Sequence, residues 1–148
     1  MKVMIEHADF DPYGALSDYQ KTLRAGSYGA VVSFVGVMRD FNEDETVTAM
    51  SLEHYPGMTE KQIEQVCQEA VEQYSIDDVL VVHRVGEITP EAPIVLVAVW
   101  SAHRSAAFDG CRYIINYLKQ RAPFWKHEQT SQGARWVAGN TQDLPAEE

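Results

Sequence analysis

Three apolar runs rich in β-branched residues, YGAVVSFVGVM (28–38), VLVVHRV (79–85) and IVLVAVW (94–100), are set among segments that repeat at helical period. Runs of this length and composition read as strands. The clearest helical segment follows residue 59, where Ile63, Val66, Cys67, Ala70, Val71 and Tyr74 return on one face. A last helix is expected from about Ser105 to Arg121, since Pro123 disfavours helix at Ala122. Strands and helices are mixed without regular βαβ alternation. The expected class is therefore α+β rather than a doubly wound sheet.

The remaining elements follow from local signals. KVMIE (2–6) alternates as a short strand, and Asp11-Pro12 marks a helix start that should run to about Arg24 and stop at Gly26. TVTAMSLEHY (46–55) is a strand, expected to form an antiparallel hairpin with 28–38 across the polar segment 39–45. Thr59 and Gln62 have capping-box spacing, and Met58 and Ile63 that of a hydrophobic staple. FWKHE and ARWV read as short final strands around a Ser131-Gln132-Gly133 turn. One domain over 1–140 is expected, followed by an acidic, mobile tail, 141–148.

Charge narrows the function. The chain carries 12 Lys+Arg against 22 Asp+Glu, a net charge of -10, so no basic stripe exists to track a nucleic-acid backbone. No apolar run is long enough to span a bilayer, and MKVMIEHADF lacks the apolar core of a signal peptide. A cytoplasmic protein is the expectation. Cys67 and Cys111 fall in helical segments beside apolar residues and read as buried, reduced thiols. The five histidines show no metal-ligand spacing, and no phosphate-loop, dinucleotide-loop or nucleophile-elbow motif is present.

Against this acidic background, YLKQRAPFWKHE (117–128) sets Lys119, Arg121 and Lys126 around Pro123, Phe124 and Trp125. Fixed positive charge beside large aromatics suits a pocket for an anion. On the last helix Phe108, Cys111, Ile115 and Leu118 define an apolar stripe, with Lys119 at its edge. Lys119 reads either as a snorkelling residue that favours the helix dipole or as an amine of depressed pKa. In an extended FWKHE, Phe124, Lys126 and Glu128 share one face.

SAHRSAAF (101–108) joins an apolar strand to a helix start, where outward N–H groups, His103 and Arg104 could hold a phosphate or carboxylate; a simple capped helix is the other reading. Arg39 ends a strand and gains interest only from its company. On one continuous helix Arg104 and Lys119 are separated by ~22 Å. A single small site using both clusters then needs two chains.

FVGVMRDFN (34–42), LEHYPGMTEK (52–61), HRVGEI (83–88), SAHRSAAF (101–108) and YLKQRAPFWKHE (117–128), in this order, resemble the large, catalytic subunit of molybdopterin synthase, the MoaE family. The resemblance covers roughly residues 3–138. It implies an α/β-hammerhead-type core with an additional antiparallel β portion. It also implies sulfur transfer to cyclic pyranopterin monophosphate (precursor Z), forming the molybdopterin dithiolene. The sulfur would come from the C-terminal glycine thiocarboxylate of a small ubiquitin-like partner subunit. A homodimer within a heterotetramer is implied, and the chemistry requires no metal or redox cofactor.

By resemblance Lys119 and Lys126 are the catalytic candidates. Arg39, His103 and Arg104 are the anion-binding ones by resemblance; Arg121 is a further anion-binding candidate from the residues, a simple helix-terminal charge being its other reading. Phe34 and Ile115, with Pro123 and Phe124, would form the pocket wall. One departure concerns the end of the chain. Family members often carry basic residues after the R-W-V segment, whereas AGNTQDLPAEE here has none, leaving Arg135 as a partial substitute. Two other functions stay open at this point: a non-catalytic scaffold binding a ubiquitin-like tail or an anionic metabolite, and a persulfide sulfurtransferase, which would need a reactive cysteine.

Overall fold

The computed structural model describes residues 1–42 and 45–137. In chain order these form β1 (Lys2–Glu6), α1 (Pro12–Gln20), β2 (Ala30–Val37), β3 (Phe41–Asn42), β4 (Glu45–His54) and α2 (Met58–Tyr74). They continue with β5 (Ile76–Arg84), β6 (Gly86–Ile88), β7 (Pro93–Ser101), α3 (Arg104–Arg121), β8 (Phe124–Thr130) and β9 (Gly133–Val137). The class is α+β, as expected. One mixed sheet has the order β1-β5-β7-β2, with β1 parallel to β5 and the other pairs antiparallel. A second, antiparallel sheet runs β3-β4-β8-β9, and β6 also pairs with β4.

The apolar density of β5 and β7 is explained by burial on both faces. Val79, Val81, Val97 and Val99 point to a core shared with α2 and α3, built from Ile63, Val66, Ala70, Ile114 and Leu118. The alternate residues Leu80, Val82, Leu96, Ala98 and Trp100 point to the opposite face, where Phe10, Leu16, Tyr19 and Leu23 cover them. Full burial of each such side chain contributes about 1.5–3 kcal/mol. A third cluster, Met38, Val47, Met50, Leu52 and Ile88, lies under the second sheet. Phe124 packs against both the first and the third clusters and so ties the two sheets together.

Several local expectations are corrected. β2 and β4 do not form a hairpin: β2 pairs with β7, and β4 pairs with β3, β6 and β8. The doubly covered sheet gives β2 a better partner than its neighbour in sequence. The first helix is capped by Asp11, whose carboxylate accepts from the Tyr13 N–H at 3.1 Å, but it ends at Gln20. Beyond it the chain closes in tight turns, with Thr22 and Leu23 N–H groups donating to Tyr19 and Gln20 carbonyls.

The cap of α2 is Gly57, whose N–H donates to Glu60 at 2.6 Å. Thr59 is instead buried in the first turn, bonded through its hydroxyl to both backbone groups of Tyr55. Met58, the expected staple residue, is exposed. The expected tail, 141–148, lies outside the described residues.

Candidate active site

The rotation of α3 determines what can meet what. Ala107, Gly110, Cys111, Ile114 and Leu118 are the residues it buries on the mixed sheet. Gly110 permits this close approach, because a Cβ there would stand 2.1 Å from Ile76 Cδ1. The expected stripe is thus turned: Phe108 is 60% exposed and Ile115 only partly buried. These two residues lie instead on a shoulder facing β2.

Between that shoulder and β2 runs an open groove of about 340 Å³. Val32, Ser33 and Phe34 supply one wall. Phe108, Arg112, Ile115, Asn116 and Lys119 supply the other, with Cys111 between. β2 is a terminal strand of its sheet, so the groove runs beside a sheet edge. Of the sequence candidates, the structure brings Phe34, Ile115 and Lys119 together here. Arg112, Asn116 and Ser33 were missed. Arg112 stands seven residues before Lys119, two helical turns, and that spacing was the available signal.

Lys119 is exposed in the last turn of α3, where its charge favours the helix dipole. Ala122 caps the helix in extended conformation, as the residue before proline must, and its N–H reaches the Leu118 carbonyl at 2.9 Å. β8 then begins at Phe124. Lys126 lies on β8 opposite Leu52, on the same side as Phe124 and Glu128. Pro123, Phe124 and Lys126 do not line the β2 groove. Phe124 stacks on His83, which is only 5% exposed. The His83 Nδ1 lies 2.9 Å from the Arg84 carbonyl, which can only accept, so Nδ1 carries the proton.

His103 is the N-cap of α3 and Arg104 its first residue; both are exposed. The His103 side chain makes no capping bond, and its backbone N–H donates to Ser101 Oγ at 3.4 Å. The helix is continuous to Arg121, so the ~22 Å between Arg104 and Lys119 stands. Arg39 is exposed just past the end of β2, where Met38 is anchored by backbone bonds to Glu91 and Ala92. Arg121 donates to both carboxylate oxygens of Glu69, at 2.5 and 3.1 Å. Arg135 pairs with Glu128 across β8 and β9 at 3.2 Å.

The thiols are poor nucleophiles. Burial pushes both Cys67 and Cys111 up to about 12, and both are buried and free. Among the described residues no group of three or more His, Cys, Asp or Glu side chains could hold a metal ion. Nor is any described helix long and apolar enough to cross a membrane.

A groove beside a sheet edge, with a lysine in its wall and built on this pairing of sheets, defines the class. The family model described as MoaE protein matches residues 6–121. The chain belongs to the MoaE family, the catalytic subunits of molybdopterin synthase. It is 49% identical over 143 residues to the molybdopterin synthase catalytic subunit of Ralstonia nicotianae, covering 95% of this chain and 79% of the relative. The corresponding subunit of Pseudomonas aeruginosa is 46% identical over 148 residues, covering 99% and 96%. Among solved structures, the molybdopterin biosynthesis MoaE protein from Burkholderia ambifaria aligns with a TM-score of 0.79 at 42% identity, covering 95% of this chain and 91% of that one.

Proposed function

We propose that this chain moves sulfur from the C-terminal thiocarboxylate of a small ubiquitin-like partner subunit to cyclic pyranopterin monophosphate, forming the molybdopterin dithiolene. The observation that carries the reading is the groove between β2 and α3 with Lys119 in its wall. A terminal strand offers backbone N–H and C=O groups along its open edge, to which an extended tail can bond. A glycine-ended tail brings no side chains to clash with Phe34 and Ile115 in the groove walls. Its terminal anion then comes under the charges of Lys119 and Arg112.

In this reading Lys119 lies nearest the thiocarboxylate carbon and assists acyl or proton transfer. Lys126 stabilises developing negative charge or serves the second sulfur transfer. With a bound tail covering the groove, both act in a partly desolvated setting, where fixed charge stabilises a transition state far better than in water. Arg39, His103 and Arg104 hold substrate anions. The ~22 Å between Arg104 and Lys119 on one helix supports assigning His103 and Arg104 to the pocket of a neighbouring copy, and in this reading the working unit is a homodimer with a partner subunit on each chain. The buried, reduced thiols suit a cytoplasmic setting and leave the partner as the sulfur source.

The test is turnover. Purified chain, thiocarboxylated partner and precursor should yield dithiolene product with loss of sulfur from the partner. Binding of both without product would make the chain a scaffold.

A further inference from the structure

We propose that Glu69, Tyr113 and Arg121 form a clamp between α2 and α3 that positions Lys119 and the entry to Lys126, so that Arg121 acts on the reaction without touching substrate. This rests on the assignment of Lys119 and Lys126 to the chemistry. Both ends of the Arg121 guanidinium fork meet the Glu69 carboxylate, and the Tyr113 hydroxyl donates to Glu69 Oε2 at 2.9 Å. A bidentate pair of this kind fixes orientation as well as distance.

The geometry gives the clamp its purpose. Tyr113, Tyr117 and Arg121 recur at four-residue spacing and form one stripe of α3. Tyr74 of α2 meets Tyr113 edge-on, with ring centroids 5.6 Å apart, and Tyr113 meets Tyr117 at 4.5 Å. Arg112, Asn116 and Lys119 form the groove-facing stripe of the same helix. A third stripe is buried on the sheet. The clamp therefore holds the rotation of the helix against α2 and pins its last turn. Lys119 lies two residues before Arg121, and β8 begins three residues after it. Helix ends fray unless tied down, and here the tie is a side chain anchored in the C-terminal half of α2.

The charge state of the clamp suits neutral pH. Hydrogen bonds from Arg121 and then Tyr113 hold the Glu69 carboxyl below the usual range, and burial with the Glu69 bond pushes Tyr113 up to about 12.

The experiment compares Glu69→Gln, Arg121→Gln and the double variant as full chains with thiocarboxylated partner and precursor. It also follows backbone amide exchange. A clamp predicts that each single change lowers kcat by about 10- to 100-fold, as expected for a displaced catalytic group. KM for the partner should move by less than about threefold. The double variant should be no worse than either single one, because both remove the same contact. Exchange should quicken at 119–126 in all three and stay slow in β5 and β7. Arg121→Lys keeps the charge but not the fork and should retain most of the loss.

If Glu69→Gln works at the normal rate while Arg121→Gln fails, Arg121 is an anion ligand and the clamp is overturned. Unchanged exchange at 119–126, or exchange raised equally in β5 and β7, also overturns it. Tyr113→Phe deletes one hydrogen bond, keeps the ring packing and should show the same pattern in weaker form should the Arg121 variants not fold. Lys119→Ala is measured alongside. Normal turnover there would remove the assignment of Lys119, and the exchange data would still judge the clamp.

Discussion

The imidazole of His83 lies flat against the ring of Phe124, with centroids 4.0 Å apart and planes 17° from parallel. Burial pushes its pKa down from 6.5 to about 4; the Arg84 carbonyl opposes this, and Lys126 and His54 add to it. Between those two values the unfolded chain holds a proton that the folded chain refuses. Stability should therefore fall as pH drops from about 6.5 toward about 4, and this group should contribute no slope above or below that window. His83→Phe keeps a flat ring on Phe124 and removes the proton. Between pH 7 and pH 5 it should lose less stability than the unaltered chain, by on the order of 1–2 kcal/mol for one proton. Urea-unfolding free energies at the two pH values check this, and parallel losses would show that His83 is not the source.

Lys119→Ala should lower sulfur transfer by at least about 100-fold, the range for a group that handles protons or charge in the transition state. Stability should change by no more than about 0.5 kcal/mol, because the side chain is exposed. Lys119→Arg should fail as well, since a guanidinium does not give up a proton near neutral pH. Single-turnover kinetics with thiocarboxylated partner separate this from a binding defect. Near-normal turnover in Lys119→Ala would remove it from the chemistry.

Inactive Arg104→Ala and Lys119→Ala proteins, mixed and allowed to exchange subunits, should regain activity. One pocket of the mixed dimer carries both defects and the other carries neither. Activity should approach about half the unaltered value per mixed dimer, because intact pockets act independently. Verified exchange with no recovery would place both residues in one chain's pocket, or Arg104 outside the site.

Replacing Cys67 and Cys111 together by Ala should cost about 1–3 kcal/mol, since both thiols fill the core between α2, α3 and the sheet. Sulfur transfer should survive, because in the proposed reaction the sulfur arrives on the partner. A folded double variant that has lost activity would point to a protein persulfide.

Element types were largely legible because burial on two faces writes itself into β5 and β7 as unbroken apolar runs. Partners were not. β2 and β4 read as a hairpin because they are adjacent and both strand-like, whereas the register of β2 on β7 depends on partners 56 to 71 residues away. At the start of α2 two capping possibilities overlap, Thr59 with Gln62 at capping-box spacing and Glu60 reaching back to the Gly57 N–H. Only the position of the Tyr55 backbone, which takes up the Thr59 hydroxyl, decides between them. β6 was missed because three residues carry no period.

The groove shows the same division. Phe34, Ile115 and Lys119, named from the sequence, meet in it, yet Arg112 was not named, since its place depends on a rotation of α3 set by Gly110 lying against Ile76. The engagement of Arg121 by Glu69 joins residues fifty-two apart and leaves no local trace.

The unbroken run of α3 also works as a gauge block. In the shared-pocket reading its two ends serve two different reaction centres, so the span of one helix is copied into the spacing of both. Adding or deleting one residue inside it would shift one end by ~1.5 Å and turn it by ~100° relative to the other. Neither centre could be retuned alone. Length variation in such a chain is therefore confined to the connections on either side of α3, and the helix itself can change only by substitution.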